Sequence, residues 1–233
     1  MPPFTRPIYL GGSSTFSSSN PGTDNSFKLA VMGASSVGKS DIINKFINGT
    51  SPKCYWPTVQ ERYTKDMDVD GRHVVLDIFD TPGGYCFSYL RELAIVNADA
   101  FVLVYSVEDA VSFETVTLLR NLIAQQKPTG VPVLVVGNKA DVTTTSRFMS
   151  KKKAHSMVTS VWQDDYMEIS ARDDSNISDI FTSVVIKACS VPSKPRRLTA
   201  PGALVSFKRR FSRLFKSDRQ RRSPNKVQQV MYS

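Results

Sequence analysis

Cysteine and long apolar runs are both scarce in this chain of 233 residues. The three cysteines, Cys54, Cys86 and Cys189, are odd in number and widely spaced, which argues against a disulfide framework and suits a reducing compartment such as the cytosol. No uncharged apolar stretch reaches the roughly 18 residues that a membrane-spanning helix needs, so we expect no such helix.

Signals for lipid attachment and secretion are also absent. Pro2 stands where N-myristoylation requires glycine, and residues 230–233 contain no cysteine for prenylation. The first residues lack the apolar run of a secretory signal peptide. We therefore expect that any membrane contact arises from the amino acids of the chain itself.

Acidic residues are nearly missing from one end of the chain. Between Lys194 and Lys226 there are 12 lysines and arginines and a single acid, Asp218, whereas the net charge of the whole chain is only +9. The remaining residues are close to neutral, with 18 basic and 20 acidic side chains. A near-neutral globular part therefore carries a strongly basic tail, whose natural partner is an acidic surface.

Composition and periodicity divide the chain into three segments. Residues 1–26 are rich in Ser, Gly and Pro and are expected to be a disordered leader, and residues 191–233 form the basic tail. Between them, residues 27–190 alternate strand and helix patterns, and the pair Asp70-Gly71 predicts a hairpin.

This middle segment predicts an α/β fold. The predicted strands are 27–32, 63–69, 73–79, 100–105, 131–136 and 166–169. The predicted helices are 39–47, 112–126, 151–162 and 177–188, with Ser112 as the N-cap of the second. Such alternation predicts a three-layer sandwich around a mostly parallel six-stranded sheet with one antiparallel edge strand.

A phosphate-binding motif opens the first predicted helix. The residues Gly33-Ala34-Ser35-Ser36-Val37-Gly38-Lys39-Ser40 match the pattern GxxxxGK[ST] between a buried strand and a helix start. Glycines let backbone N–H groups curl around phosphate oxygens, Lys39 adds a point charge for the β and γ phosphates, and Ser40 offers a hydroxyl to Mg²⁺. The motif predicts a nucleotide phosphate site and does not distinguish ATP from GTP.

Two polar motifs follow later strands. Asn138-Lys139-Ala140-Asp141 comes after the strand 131–136, and Ser170-Ala171-Arg172 comes after the strand 166–169. Because ligands bind at the carboxyl ends of parallel strands, both motifs should lie beside the phosphate loop. A carboxylate such as Asp141 accepts two hydrogen bonds from adjacent N–H donors, which guanine has and adenine lacks. The pattern therefore favours GTP, and an ATP-binding protein is the disfavoured alternative.

Together with Pro57-Thr58 and Asp80-Thr81-Pro82-Gly83, these motifs resemble those of the Ras family of small GTPases over roughly residues 27–188. The resemblance implies a P-loop NTPase fold and a molecular switch that binds GTP or GDP with Mg²⁺. It implies that Asn138 and Asp141 bind guanine and that Lys139 packs along the nucleotide. It also implies that Ala171, flanked by Ser170 and Arg172, offers its backbone N–H to the base.

The resemblance also assigns the switch residues. It implies that Mg²⁺ is held by Ser40, Thr58 and Asp80, and that the N–H of Gly83 contacts the γ-phosphate. The catalytic residues that it implies are Lys39, Thr58 and Gly83. Effector proteins are expected to bind through the first switch, from Tyr55 to Tyr63.

Four positions depart from the family pattern. Gly84 stands where a glutamine usually orients the attacking water, and Ser35 and Ser36 stand where glycines are common, so hydrolysis should be slow. Ser51 replaces an aromatic residue that leans on the base, which implies faster exchange. The resemblance is closest to divergent members without a prenylation box and with an altered second switch. Two functions stay open: a slow GTPase, or a GTP-bound, essentially non-catalytic scaffold that recruits effectors.

The basic tail predicts an amphipathic helix from Leu204 to Phe215. Its apolar residues fall within one arc, and the side chains opposite are Arg209, Arg210, Arg213 and Lys216. Such a helix suits an anionic membrane or a calmodulin-like groove, contacted through residues 203–217. The alternatives are a solvated tail, a helix docked on the domain, and a nuclear localisation signal at Lys208-Arg209-Arg210.

These features also give expectations for location and partners. We expect a monomer in the cytoplasm, peripheral at the inner face of the plasma membrane, with the nucleus as the alternative location. Guanine nucleotide and effector proteins are the expected partners, and nucleic acid is not.

Overall fold

The computed structural model describes residues 26–50, 61–83, 88–173 and 176–190, apart from the side chain of Ser88. The chain forms one unit from Met1 to Val191 and another from Pro192 to Ser233, and every described residue belongs to the first. Residues 1–25 of the predicted leader and the predicted tail helix lie outside the described residues, whereas Ser26, the last residue of the predicted leader, begins the first strand. The switch positions Ser51, Tyr55, Thr58 and Gly84 also lie outside the described residues.

Six strands form one sheet at the centre of the described unit. They are β1 (Ser26–Gly33), β2 (Glu61–Val69), β3 (Arg72–Asp80), β4 (Ala100–Ser106), β5 (Val133–Asn138) and β6 (Asp165–Glu168). The order across the sheet is β2-β3-β1-β4-β5-β6. The edge strand β2 runs antiparallel to β3, and all other neighbours are parallel. The predicted α/β fold class is confirmed.

The hairpin between β2 and β3 turns where the sequence predicted it. Asp70 has a φ of 50° and Gly71 a φ of 73°. Two consecutive residues with positive φ are what a two-residue turn matched to the twist of the strands requires. Each of the seven residues of β4 is buried, as expected for a central parallel strand covered on both faces.

Helices cover both faces of the sheet. They are α1 (Lys39–Asn48), α2 (Ser88–Asn97), α3 (Ala110–Gln126), α4 (Lys151–Ser156) and α5 (Ile177–Ser190). One apolar layer contains Ile42 of α1 and Phe181 of α5, and the other contains Ile95 of α2 and Leu119 of α3. Within the described ranges, none of the helices is long and apolar enough to cross a bilayer.

Three local predictions were wrong or incomplete. The cap of α3 is Asp109, whose side chain accepts a hydrogen bond from Val111 N at 2.9 Å, because the hydroxyl of Ser112 is buried against Ser106 and Asp109. Helix α2 was missed, since its apolar residues Tyr89 and Val96 face solvent and blur the periodicity. The predicted helix 151–162 is α4 followed by a π-helical segment, Met157–Trp162.

Candidate functional site

The phosphate-binding motif forms the loop between β1 and α1, and its glycines stand where backbone or a buried side chain comes close. At Gly33, whose φ is 151°, an added Cβ would lie 2.1 Å from the carbonyl oxygen of Val104. At Gly38, whose φ is 93°, it would lie 2.2 Å from Nδ2 of Asn138. Both positions also have φ values that L side chains rarely adopt. The loop can therefore keep this shape only with glycine at its two ends.

Lys39 is buried at the first turn of α1 and points back into the loop. Its Nζ donates hydrogen bonds to the carbonyl oxygens of Gly33 (3.2 Å) and Ala34 (2.7 Å). Burial lowers the pKa of Lys39 to about 8, and the nearby charge of Asp80 only partly opposes this effect. The ammonium group thus lies in a place where a negatively charged ligand would stabilise it strongly.

Ser40 and Asp80 bring two oxygen atoms together beside this loop. The hydroxyl of Ser40 donates to Oδ2 of Asp80 at 2.5 Å, and Asp80 is fully buried at the end of β3. Hydroxyl and carboxylate oxygens are ligands that suit Mg²⁺. The described residues contain no group of three or more His, Cys, Asp or Glu that could hold a metal alone. This pair therefore fits Mg²⁺ only as part of a coordination shell, which further oxygen ligands would complete.

The segment after β3 lies directly against the phosphate loop. The hydroxyl of Thr81 donates to the carbonyl oxygen of Val31 at 2.9 Å, which fixes the start of the segment to β1. An added Cβ at Gly83 would lie 2.4 Å from the backbone nitrogen of Ser35. The backbone of Gly83 is therefore as close to the loop as a residue without a side chain allows.

Asn138, at the end of β5, connects three loops through one buried side chain. Its Nδ2 donates to the carbonyl oxygen of Val37 at 2.8 Å, and its Oδ1 accepts from the N–H groups of Lys139 (2.8 Å) and Ala171 (3.0 Å). The backbone N–H that the resemblance assigns to the base thus contacts Asn138 here. The side chain of Asn138 holds the loops in place, with only 2% of the residue exposed.

Asp141 supplies the carboxylate that the sequence assigns to recognition of the base. A hydrogen bond from Ser170 is the largest influence on the pKa of Asp141 and lowers it, and the charge of Arg172 acts in the same direction. The guanidinium Nη1 of Arg172 lies 3.5 Å from Oδ2 of Asp141. The backbone of Arg172 is in turn held by Lys45 of α1, whose Nζ donates to its carbonyl oxygen at 3.2 Å. Asp141 is therefore ionised at neutral pH and able to accept hydrogen bonds.

Comparison with known proteins identifies this arrangement. Residues 28–190 match the model of the Ras family. The chain belongs to the Ras family. Its six-stranded sheet with one antiparallel strand and flanking helices is the fold of a Ras-like P-loop GTPase.

Relatives of this Ras-family chain include proteins from animals and an amoeba. It is 32% identical to the GTP-binding protein Rhes of Mus musculus over 166 residues. This matched region covers 67% of this chain and 62% of Rhes. It is 33% identical over 171 residues to the Ras-related protein rapC of Dictyostelium discoideum, which covers 72% of this chain and 61% of rapC. The chain thus spans less than two thirds of the length of these relatives.

Most of the predicted site lies at the carboxyl ends of the parallel strands in this Ras-family sheet. The phosphate loop, Asp80 and Gly83 follow β1 and β3, and the motifs beginning at Asn138 and Ser170 follow β5 and β6. Thr58 lies outside the described residues, so the structure does not test it. The motifs that begin at Asn138 and Ser170 are the predicted base-reading motifs. Beneath them lies a polar cluster that the sequence did not reveal, formed by Tyr105, Arg147, Tyr166 and Glu168. Its only sequence signal is a tyrosine within the apolar run of β4.

Proposed function

We propose that this Ras-family chain binds guanine nucleotides with Mg²⁺ and hydrolyses GTP slowly, as a switch in intracellular signalling. The observation that carries the proposal is the single side chain of Asn138, which joins the phosphate loop to both base-reading motifs. A ligand that contacts all three must carry phosphates at one end and a polar base at the other. The relatives named as a GTP-binding and a Ras-related protein support guanine as that base.

Lys39 and the backbone of the phosphate loop would bind the phosphates. The backbone N–H groups of the loop would donate to phosphate oxygens, and Lys39 would exchange its two carbonyl partners for phosphate oxygens. Ser40 and Asp80 would hold Mg²⁺, which when bound supplies positive charge to the phosphate oxygens. Asp141 would accept the paired N–H donors of guanine, which gives preference over adenine.

The proposal is tested by what the purified protein carries and prefers. Extracted nucleotide should be GTP or GDP, and competition with excess ATP should displace little of it. Single-turnover hydrolysis then separates a slow GTPase from the alternative, a GTP-bound scaffold that only recruits effectors. Binding of ATP as tight as that of GTP would show the proposal to be wrong.

Slow hydrolysis is proposed from two features of the chain. Gly84 has no side chain to orient a water molecule for attack on the γ-phosphate. The side chains of Ser35 and Ser36 are exposed on the phosphate loop, where they narrow the approach for an arginine from an activating protein. Both features lower the rate without removing a group that binds the nucleotide.

Gly84→Gln should raise the single-turnover rate of GTP hydrolysis by about tenfold or more, because the new amide can orient the water. The effect should be largest when Ser35 is also changed to glycine. Gly84→Ala is the matched control, since it adds bulk without an amide and should leave the rate low. An unchanged rate in Gly84→Gln would mean that water positioning is not what limits this chain.

Nucleotide affinity should depend on pH through Lys39. The pKa of Lys39 is about 8 without ligand, and a bound phosphate raises it, so above pH 8 binding must take up a proton. Affinity for GDP should therefore be nearly constant below pH 8 and fall above it, approaching tenfold per pH unit. Titrations from pH 7 to 9 test this. Lys39→Met, which has no group to titrate, should bind weakly and show no such decline.

A further inference from the structure

Beneath the base-reading motifs that begin at Asn138 and Ser170, the side chain of Tyr105 in β4 crosses the neighbouring strand β5. Tyr105 of β4, Gly137 of β5 and Glu168 of β6 are aligned in register across the sheet. A Cβ at Gly137 would lie 2.9 Å from the hydroxyl of Tyr105 and 3.1 Å from Cγ of Glu168. The missing side chain at Gly137 is therefore the gap through which Tyr105 reaches the edge strand β6.

The hydroxyl of Tyr105 begins a directed chain of hydrogen bonds. Tyr166 donates to Oε1 of Glu168 at 2.6 Å, and because a tyrosine has one hydroxyl proton, Tyr105 must be the donor in the 2.7 Å contact with Tyr166. Arg147 completes the chain by donating to Oε2 of Glu168 at 2.5 Å. The side chain of Glu168 is only 3% exposed, so its charge depends on these partners.

Two strands of this network, β5 and β6, lead directly into parts of the predicted nucleotide site. Gly137 precedes Asn138, and Glu168 precedes Ser170 by two residues. Arg147 lies in the segment that follows Asp141, and the N–H of Phe148 joins that segment to Val107 at 3.1 Å. The network thus ties together the three chain segments that place the predicted base contacts.

Packing alone does not account for the two hydroxyls. Phenylalanine at position 105 would keep the ring contacts with Phe113 and Phe148, and phenylalanine at position 166 would keep the ring contact with His155. Burial raises the pKa of Tyr105 to about 12, which reflects how little water reaches its hydroxyl. Burying a hydroxyl costs free energy unless it is bonded, so the bonded pair gains little for the core itself. What the pair does provide is a fixed distance between β4 and β6.

We propose that Tyr105 and Tyr166 are positioning residues that set the spacing of the two guanine-reading motifs by linking β4 to β6 across Gly137. The inference rests on the proposed binding of guanine nucleotides. The hydroxyls do not touch the base. They act through Glu168 and Arg147 on the loops that hold Asp141 and Ala171.

The test compares Tyr105→Phe and Tyr166→Phe with the unchanged protein. Tyr105→Phe removes one hydrogen bond and should release GDP roughly three- to tenfold faster. Tyr166→Phe removes two, the bond from Tyr105 and the bond to Glu168, and should release GDP faster still. They should also discriminate less between GDP and inosine diphosphate. Inosine lacks the exocyclic amine, so the ratio of the two affinities reports whether Asp141 is still placed to accept both N–H donors.

Arg120→Gln is the matched control at the other end of β6. Arg120 donates to Asp164 at 2.9 Å and to the carbonyl oxygen of Trp162 at 2.6 Å, and it does not contact the tyrosine network. It should lower the melting temperature while leaving the ratio of GDP to inosine diphosphate affinity unchanged. If it changes that ratio as the tyrosine variants do, the effect is general loosening and the inference is wrong.

The remaining outcomes separate this inference from the proposed function. Tight guanine binding by the unchanged protein, with the same ratio and release rate in both tyrosine variants, overturns the positioning role alone. Absence of guanine binding by the unchanged protein overturns the proposed function, and the positioning role with it.

Discussion

Replacing Asp141 with alanine should lower the affinity for GTP and GDP by about 100-fold or more and remove most of the preference over ATP. Two hydrogen bonds to an ionised acceptor are lost, each worth roughly 1.5–3 kcal/mol. The bond from Ser170 and the nearby Arg172 keep the pKa of Asp141 below its usual range, so the loss should be the same across neutral pH. Competition binding with GDP, GTP and ATP measures both effects.

Asp173→Ala is the matched control for loss of a carboxylate, in the loop that follows β6. Asp173 is exposed, and only its backbone N–H bonds to this region, to the carbonyl oxygen of Ser170 at 3.2 Å. It should change affinity little, and equally for both bases. If Asp141→Ala keeps its preference for GTP, another group reads the base and the role given to Asp141 fails.

We propose that the basic tail anchors this chain to anionic membranes, so cutting the chain after Pro195 should abolish binding to anionic vesicles. The tail carries 12 basic residues and one acid between Lys194 and Lys226. Each basic residue near an anionic leaflet is worth about 1 kcal/mol, so even a few of them give a partition change of several orders of magnitude. Co-sedimentation with neutral and anionic vesicles, at low and high salt, measures the loss.

A single substitution within the predicted tail helix separates the effect of the tail's charge from the effect of its length. Ser212→Asp places a negative charge next to Arg209, Arg210 and Arg213 in the sequence. It should weaken binding of the chain to anionic vesicles by about tenfold. A phosphate on Ser212 carries more negative charge and should weaken this binding further. Ser193→Asp adds the same charge outside residues 203–217 and should have little effect. Binding that ignores lipid charge, or survives the truncation, would leave the tail a solvated or protein-docking segment.

The central strands and the motif positions could be predicted because their signals are local. Strand β4 is a continuous apolar run. The phosphate loop is recognisable from the glycines at the two ends of the loop. The cap of α3 could not be assigned so simply. Asp109 and Ser112 are both good capping residues, and only the burial of the Ser112 hydroxyl in the folded chain decides between them.

The tyrosine network could not be predicted for a different reason. Tyr105 and Tyr166 are separated by 61 residues, and they meet only because β5 lies between them with a glycine at the facing position. Tyr105 alone looks like an ordinary residue of a buried strand, and Tyr166 alone looks like one of a half-buried strand. The pairing becomes visible only once the strand order and register are known.

The three contacts of Asn138 would have a mechanical consequence for the nucleotide exchange that the proposed function implies. Because one side chain bonds to Val37 in the phosphate loop and to Ala171 in the Ser170 motif, neither loop can move far without pulling on the other. In a nucleotide complex, a protein that displaces the phosphate loop would therefore also loosen the contacts to the base without touching them. An exchange partner would then need to contact only one side of the site, which would leave the opposite side open to a second protein.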